Sequence, residues 1–220
     1  MSYGSKKYRA PNVVFFDLET TGFDRPIRPV QIGAIDSWGA NTYNQFVWPR
    51  RHVHPKATLT NKFYVSRGTL FRQGEGALDT TDLEDALYSF LDWLSSLGGN
   101  VVLVAHKCLD YDAKVLLRNL EEFNIPYEHV ILGFSDSLLA SRDLYPVAPS
   151  HKLSSMLGEV GLPIRESHDA LVDADDCRRI CRRMAGQRRL KFLDFVFDEK
   201  WYHTLDDQWE WTFPGGVVTV

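Results

Sequence analysis

Residues 13–22 read Val-Val-Phe-Phe-Asp-Leu-Glu-Thr-Thr-Gly, and this stretch decides the architecture. Residues 13–18 are β-rich and apolar, the composition of a strand in the middle of a sheet. The run ends on acids. Side chains two apart on a strand share a face, so Asp17 and Glu19 point the same way. Two carboxylates held close raise each other's pKa unless something positive lies between them. A hard divalent cation with oxygen ligands is the natural partner. The plain alternative is an exposed acidic strand end.

Two further blocks place acids where a helix or strand would rather bury carbon. Residues 105–112 read Ala-His-Lys-Cys-Leu-Asp-Tyr-Asp, leaving an apolar strand over residues 101–105 and opening a helix over residues 112–123. Asp112 is the candidate ligand there. A helix N-cap is the competing reading, and Asp110 is the competing residue. His106 and Lys107 are candidates to meet a phosphate, although His106 suits a turn brace equally well. Residues 168–174 read His-Asp-Ala-Leu-Val-Asp-Ala. Asp173 falls on a helix over residues 170–184, between the small Ala170 and Ala174, which allow close approach to a sheet. His168 lies at the helix entry, and an imidazole there can take a proton from water near neutral pH.

Outward from these blocks, residues 29–38 and 42–48 read as strands that complete a three-stranded antiparallel meander. Residues 49–76 are looser and basic, with Arg50, Arg51, His52, His54 and Lys56. A helix is expected over residues 81–97, with Thr81 as N-cap and Glu84 closing a capping box. A buried strand follows at 130–134 and a short helix at 153–158. The order β-β-β-α-β-α-β-α-α is an α/β fold with a mixed sheet between helices.

The chain of 220 residues is 44% hydrophobic and 25% charged, as ordinary globular proteins are. A net charge of −4 excludes a large, uniformly basic nucleic-acid binder but not a local basic surface. Seven of the fourteen residues from Arg178 to Lys191 are Arg or Lys. They suit a solvated helix face, with a phosphate-tracking surface as the alternative. Cys108, Cys177 and Cys181 are an odd number in a chain of this size, which points to a reducing compartment. Cys177 and Cys181 read as buried helical thiols rather than half a zinc site. Residues 1–9 lack the apolar region of a secretion signal, and no apolar run approaches the ~20 residues of a membrane span. Cytoplasm or nucleus is therefore expected, with no membrane partner. Residues 192–220 alternate aromatics with acids and are expected to pack on the domain.

The sequence Asp-Leu-Glu-Thr-Thr-Gly, then Ala-His-x5-Asp, then His-x-Ala-x-x-Asp, resembles the three motifs of the DEDDh 3′→5′ exonucleases, over residues 13 to about 185. Lys107 departs from the family's usual Asn after the second-motif histidine. The step from His106 to Asp112 and the run Ser150-His151-Lys152-Leu153 are similar to three-prime repair exonuclease-like and PML-associated exonuclease-like members. The resemblance implies a ribonuclease-H-like three-layer fold with a mixed five-stranded sheet. Together with the basic composition of residues 1–11 and the aromatic, acidic run after residue 192, it leads to an expected division into a flexible lead (1–11), an exonuclease domain (12–197) and a C-terminal segment packed on it (198–220). It implies two Mg²⁺ ions, replaceable by Mn²⁺, roughly 4 Å apart. Asp17, Glu19 and Asp173 would hold the first ion, with Asp17 bridging to the second. Asp112 would act through the second ion's waters, and His168 would be the general base.

The expected substrate is the 3′ end of single-stranded DNA or RNA. Leu18, Thr20 and Thr21 are expected along the terminal nucleotide, with Phe23, Phe63 and Tyr64 as candidates to stack on its base. Repair-type members pair through a sheet edge, which leaves a homodimer open. The rival readings are a metal-dependent endonuclease or phosphodiesterase, a catalytically silent nucleic-acid-binding domain of the same fold, and an interaction protein that uses the aromatic tail.

Overall fold

The computed structural model describes residues 11–165 and 168–205. Most of the expected N-terminal lead, and Trp209, Trp211 and Phe213 of the aromatic segment, lie outside the described residues. Three strands open the chain: β1 (Asn12–Thr20), β2 (Pro29–Asp36) and β3 (Thr42–Trp48). A short helix α1 (Pro55–Asn61) leads into β4 (Phe63–Ser66), β5 (Thr69–Arg72) and β6 (Gly76–Ala77). Next come β7 (Thr81–Asp82), α2 (Leu83–Ser96), β8 (Val101–Ala105) and α3 (Asp112–Glu122). The last part holds β9 (Ile131–Asp136), α4 (Ser137–Leu144), α5 (Leu153–Glu159), α6 (Ala170–Gln187), α7 (Phe192–Val196) and β10 (Tyr202–Thr204).

The main sheet runs β10-β9-β8-β1-β2-β3-β7. It has seven strands where five were expected. The two extra strands are edge pieces of two and three residues, too short to carry a periodic signal. One of them, β7, takes Thr81, which had been read as a helix cap; Asp82 caps α2 instead, accepting the Glu84 N–H. The other, β10, lies within the aromatic segment and pairs with β9 from Tyr202 to Thr204. Trp201 just before it is buried and donates its indole N–H to the Phe195 carbonyl at 2.7 Å.

Alternation along β1 assigns its two faces. Val14, Phe16 and Leu18 pack into one apolar cluster, roofed by α2 and α3. Val13 and Phe15 pack into the other, beneath α5 and α6. Asp17 and Glu19 continue that second row, so the α6 side of the sheet changes from carbon to carboxylate within one strand. The change falls where a neighbour ends: β8 pairs with β1 only as far as Phe15. β8 ends at Ala105 while β1 runs on to Thr20, and a crevice opens there, where open α/β sheets commonly bind ligands.

The stretch read as loose and basic holds α1 and a separate sheet β4-β5-β6. Arg67 and Gly68 both sit at positive φ in the β4–β5 turn, the twist that a two-residue hairpin needs. Phe63 and Leu70 of this small sheet share a third apolar cluster with Val30 and Val53, which fixes it beside β2. Cys108, Cys177 and Cys181 are buried free thiols.

Candidate active site

Four carboxylates meet in the crevice. Asp17 and Glu19 come from β1, Asp112 from the first turn of α3 and Asp173 from the first turn of α6. Asp112 does not cap its helix. Tyr111 occupies the cap position, and the Asp112 carboxylate turns back to accept the Leu18 N–H at 3.2 Å across 94 residues. Asp173 accepts the His168 N–H at 2.8 Å. Asp110 is exposed and does not line the cavity.

Close approach of α6 rests on Gly33 of β2, which pairs with Asp17. A methyl group at Gly33 would stand 2.2 Å from the carbonyl carbon of Ala170 and the amide nitrogen of Leu171. The helix backbone therefore lies directly on the glycine. Ala170 and Ala174, taken from the sequence as the source of that approach, are buried as well. The decisive small residue is on the sheet.

Electrostatics express the crowding. Burial, reinforced by Asp112, Asp173 and Glu19, holds the Asp17 carboxyl well above its usual range. Burial with Asp173 beside it lifts Glu19 to about 7. Burial lifts Asp173 to about 6 and Asp112 well above normal. One Glu19 oxygen, one Asp173 oxygen and one His168 ring nitrogen lie within 4.8 Å of one another. His168 is pushed the other way, below its usual value, by partial burial and then by Lys62. It is therefore neutral at pH 7 and free to accept a proton.

A cavity of about 600 Å³ opens in front of this cluster. Leu18, Thr20, Gly22, Phe23, Tyr111 and His54 form one side of it. The Tyr111 hydroxyl is 2.6 Å from the Thr20 hydroxyl, and its ring meets Phe23 edge-on at 5.4 Å. Phe23 is 77% exposed, an apolar ring standing at the mouth. A second cavity of about 760 Å³ shares Asp17, Lys107, His168 and Asp173 and adds Arg142 and Lys152.

Similarity to known proteins agrees with this geometry. The Exonuclease family model, RNase_T, matches residues 14–180. The chain belongs to the RNase_T exonuclease family. Curated relatives include DNA polymerase III PolC-type from Clostridium perfringens, 27% identical over 166 residues, with 73% of this chain matched. PolC-type from Bacillus subtilis is 23% identical over 189 residues. The chain spans 10% and 12% of those two proteins' lengths. Among solved structures, an Escherichia coli ExoI–ssDNA complex with zinc bound superposes with a TM-score of 0.63 at 17% identity, over 86% of this chain and 43% of that one. The nuclease domain of 3′hExo, a DEDDh family member bound to rAMP, gives 0.61 at 18% identity, over 80% of this chain and 92% of that one. These structural likenesses place the fold alone, a ribonuclease-H-like mixed sheet flanked by helices.

The donor set of this RNase_T domain suits a hard divalent cation. Asp173 Oδ1 is buried and has no hydrogen-bond partner among the described residues, while its other oxygen holds the His168 amide. A buried carboxylate oxygen left bare is costly unless a cation meets it. Three more carboxylates around it are oxygen donors of the kind Mg²⁺ and Mn²⁺ prefer.

Several candidates from the sequence stand elsewhere. Thr21 is buried and committed to its loop, accepting the Arg28 N–H at 3.1 Å. Phe63 is fully buried in the third cluster, so it is a core residue rather than a base-stacking one. Tyr64 stacks on Phe71 on the small sheet and does not line the cavity. His106 braces a loop: burial pushes it down to about 4, and its neutral ring donates to the His151 carbonyl at 2.7 Å while meeting the Ser137 hydroxyl at 2.9 Å. Lys107 lines both cavities. The basic face of α6 is largely spent on the scaffold. Arg178 pairs with Asp175, Arg179 with Asp176, and Arg182 lies over the Phe192 ring.

Other residues that shape the site gave no motif signal. Asp136 ends β9 and accepts the N–H groups of Lys107, Leu109 and Leu138, tying down the loop before Asp112. Asn61 donates to the Thr20 carbonyl at 3.1 Å. Gln31 accepts the Ala170 N–H and donates to Asp169. An acid at a strand end was the one readable cue, in Asp136.

Proposed function

We propose that this domain is a metal-dependent 3′→5′ exonuclease that removes nucleoside 5′-monophosphates from single-stranded DNA or RNA. The observation that carries the reading is the convergence of three buried carboxylates, the half-buried Asp17 and a neutral imidazole at the open end of β1. Nothing in the core rewards that arrangement, and each acid is held at an unfavourable charge state. Bound by Asp17, Glu19, Asp112 and Asp173, two Mg²⁺ ions would supply Lewis-acid activation of water and neutralise charge on the leaving oxygen. The protein's own work is positional. Asp173 and Glu19 set the floor on which the phosphodiester rests. His168, neutral and exposed beside them, takes the proton from the attacking water.

Preference for an end follows from the first cavity. Phe23 and Tyr111 offer apolar rings to a terminal base, and the backbone of residues 18–22 offers polar groups to its sugar. That one solved relative holds single-stranded DNA and another holds rAMP supports a mononucleotide-sized site beside a strand.

The test uses 5′-labelled single-stranded DNA and RNA of one sequence, with Mg²⁺ or EDTA, beside Asp17→Ala. A ladder that shortens from the 3′ end, needs Mg²⁺, stalls at a blocked 3′ terminus and vanishes in the variant is the expected result. Cleavage that ignores the block would make this an endonuclease. Binding without cleavage of either strand would leave only a silent binding domain.

A further inference from the structure

Arg72 lies outside both cavities, yet its guanidinium fork reaches the residue that carries the base. One nitrogen donates to the Asp169 carboxylate at 2.9 Å and also meets Glu75 at 3.0 Å. The other donates to the His168 carbonyl at 2.9 Å. The guanidinium lies 5.1 Å over the buried Phe63 ring. Arg72 is thereby anchored on the small sheet, which is itself fixed to β2 through Phe63, Leu70 and Val30.

His168 has reason to need holding. Its φ is +70°, in the left-handed region that side chains with a Cβ avoid. Such a conformation persists only where the surroundings over-determine it. Both of its backbone polar groups are tied: the N–H to Asp173 and the C=O to Arg72. Asp169, the next residue, caps α6 through the Val172 N–H and is gripped by Arg72 and Gln31. An arginine that bridged only Asp169 and Glu75 would be an ordinary helix-cap ion pair. The bond to the His168 carbonyl makes it more than that, because it fixes the backbone from which the imidazole projects.

We infer that Arg72, carried by the β4-β5-β6 sheet, is a positioning residue that holds His168 in its left-handed backbone conformation over the acid cluster. The inference rests on the assignment of His168 as the base. Lysine cannot replace it, since a point charge lacks the planar fork that bonds two acceptors at once.

The experiment compares wild type, Arg72→Met, His168→Ala and the double variant in the full chain. Met keeps a stem packed on Phe63 and removes every donor; Arg72→Gln serves if Met lowers the melting temperature too far. Expected is a fall in kcat of roughly 10- to 100-fold with KM nearly unchanged, the scale of a small misplacement of a reacting group. In the His168→Ala background the same change should have almost no further effect, because the two act as a unit. An equal loss in both backgrounds would mark a merely structural role and overturn the inference, as would a wild-type kcat in Arg72→Met. The His168 ring resonances, identified by their loss in His168→Ala, report its placement without turnover. Resonances that move in Arg72→Met support the inference even if no 3′ cleavage is found, and unmoved resonances sink it.

Discussion

Replacing Gly33 by alanine should damage catalysis more than folding. The added methyl would lie 2.2 Å from two backbone atoms of α6, where ordinary contact begins at 3.4 Å. The helix must therefore retreat by roughly 1 Å, since repulsion between carbon atoms rises steeply inside contact distance. Asp173, one turn into that helix, and His168, just before it, move with the backbone. Asp17 and Glu19, on the other side of the gap, stay on β1. Overpacking of this kind costs about 1–3 kcal/mol, or a drop in melting temperature of roughly 2–12 °C for a chain this size. A shift of ~1 Å between reacting groups costs on the order of 10²-fold in rate. The assay is hydrolysis of a 5′-labelled oligonucleotide across a Mg²⁺ titration, with thermal unfolding of the same samples. Activity should fall about a hundredfold while the protein stays folded. Adding Ala170→Gly should not rescue it, because the clash is with backbone rather than with the Ala170 side chain. Wild-type turnover in Gly33→Ala, or full rescue by Ala170→Gly, would refute the reasoning.

The carboxylate cluster should also make the metal-free protein pH-sensitive. Glu19 at about 7 and Asp173 at about 6 lie above their unfolded values, so the folded state binds the extra protons. Stability in EDTA should therefore rise as pH falls from 8 through 7 to 6, by about 1 kcal/mol over that window for Glu19 taken alone, and urea midpoints that stay flat over that range would contradict it. Saturating Mg²⁺ at pH 8 should recover much of the difference. Tyr111→Phe removes the hydroxyl that meets Thr20 and should raise KM several-fold with kcat little changed, while stability falls by no more than ~1.5 kcal/mol; steady-state kinetics on a short oligonucleotide decide it. Trp201→Ala empties a fully buried site and loosens β10, whose neighbouring Trp201 carbonyl accepts the Asp136 N–H at 2.9 Å. A loss of about 3–5 kcal/mol is expected by denaturant unfolding.

Legibility in the sequence followed the range of the interaction. The period of two along residues 13–19 was enough to put Asp17 and Glu19 on one face, because strand geometry is local. Spacing within residues 168–173 placed His168 just ahead of a helix and Asp173 inside it for the same reason. The hairpin over residues 63–72 escaped notice although Arg67-Gly68 is a usable turn signal, since the basic residues before it masked the alternation. Phe63 and Thr21 were misjudged because a side chain beside a motif can point either into a cavity or into the core, and only packing chooses.

What the sequence determined by itself is the set of five candidate side chains that meet at the site and the kind of element that carries each. Hydrophobic period, capping residues and the cost of an unpaired acid are all written within a few residues. The tertiary structure alone decided that these elements close on one another. Gly33 admits α6 to the sheet, β8 stops pairing at Phe15 and opens the crevice, and Arg72 reaches across 96 residues to hold His168. Those contacts join segments far apart in the chain, and no local pattern encodes which glycine, strand end or arginine will face which partner.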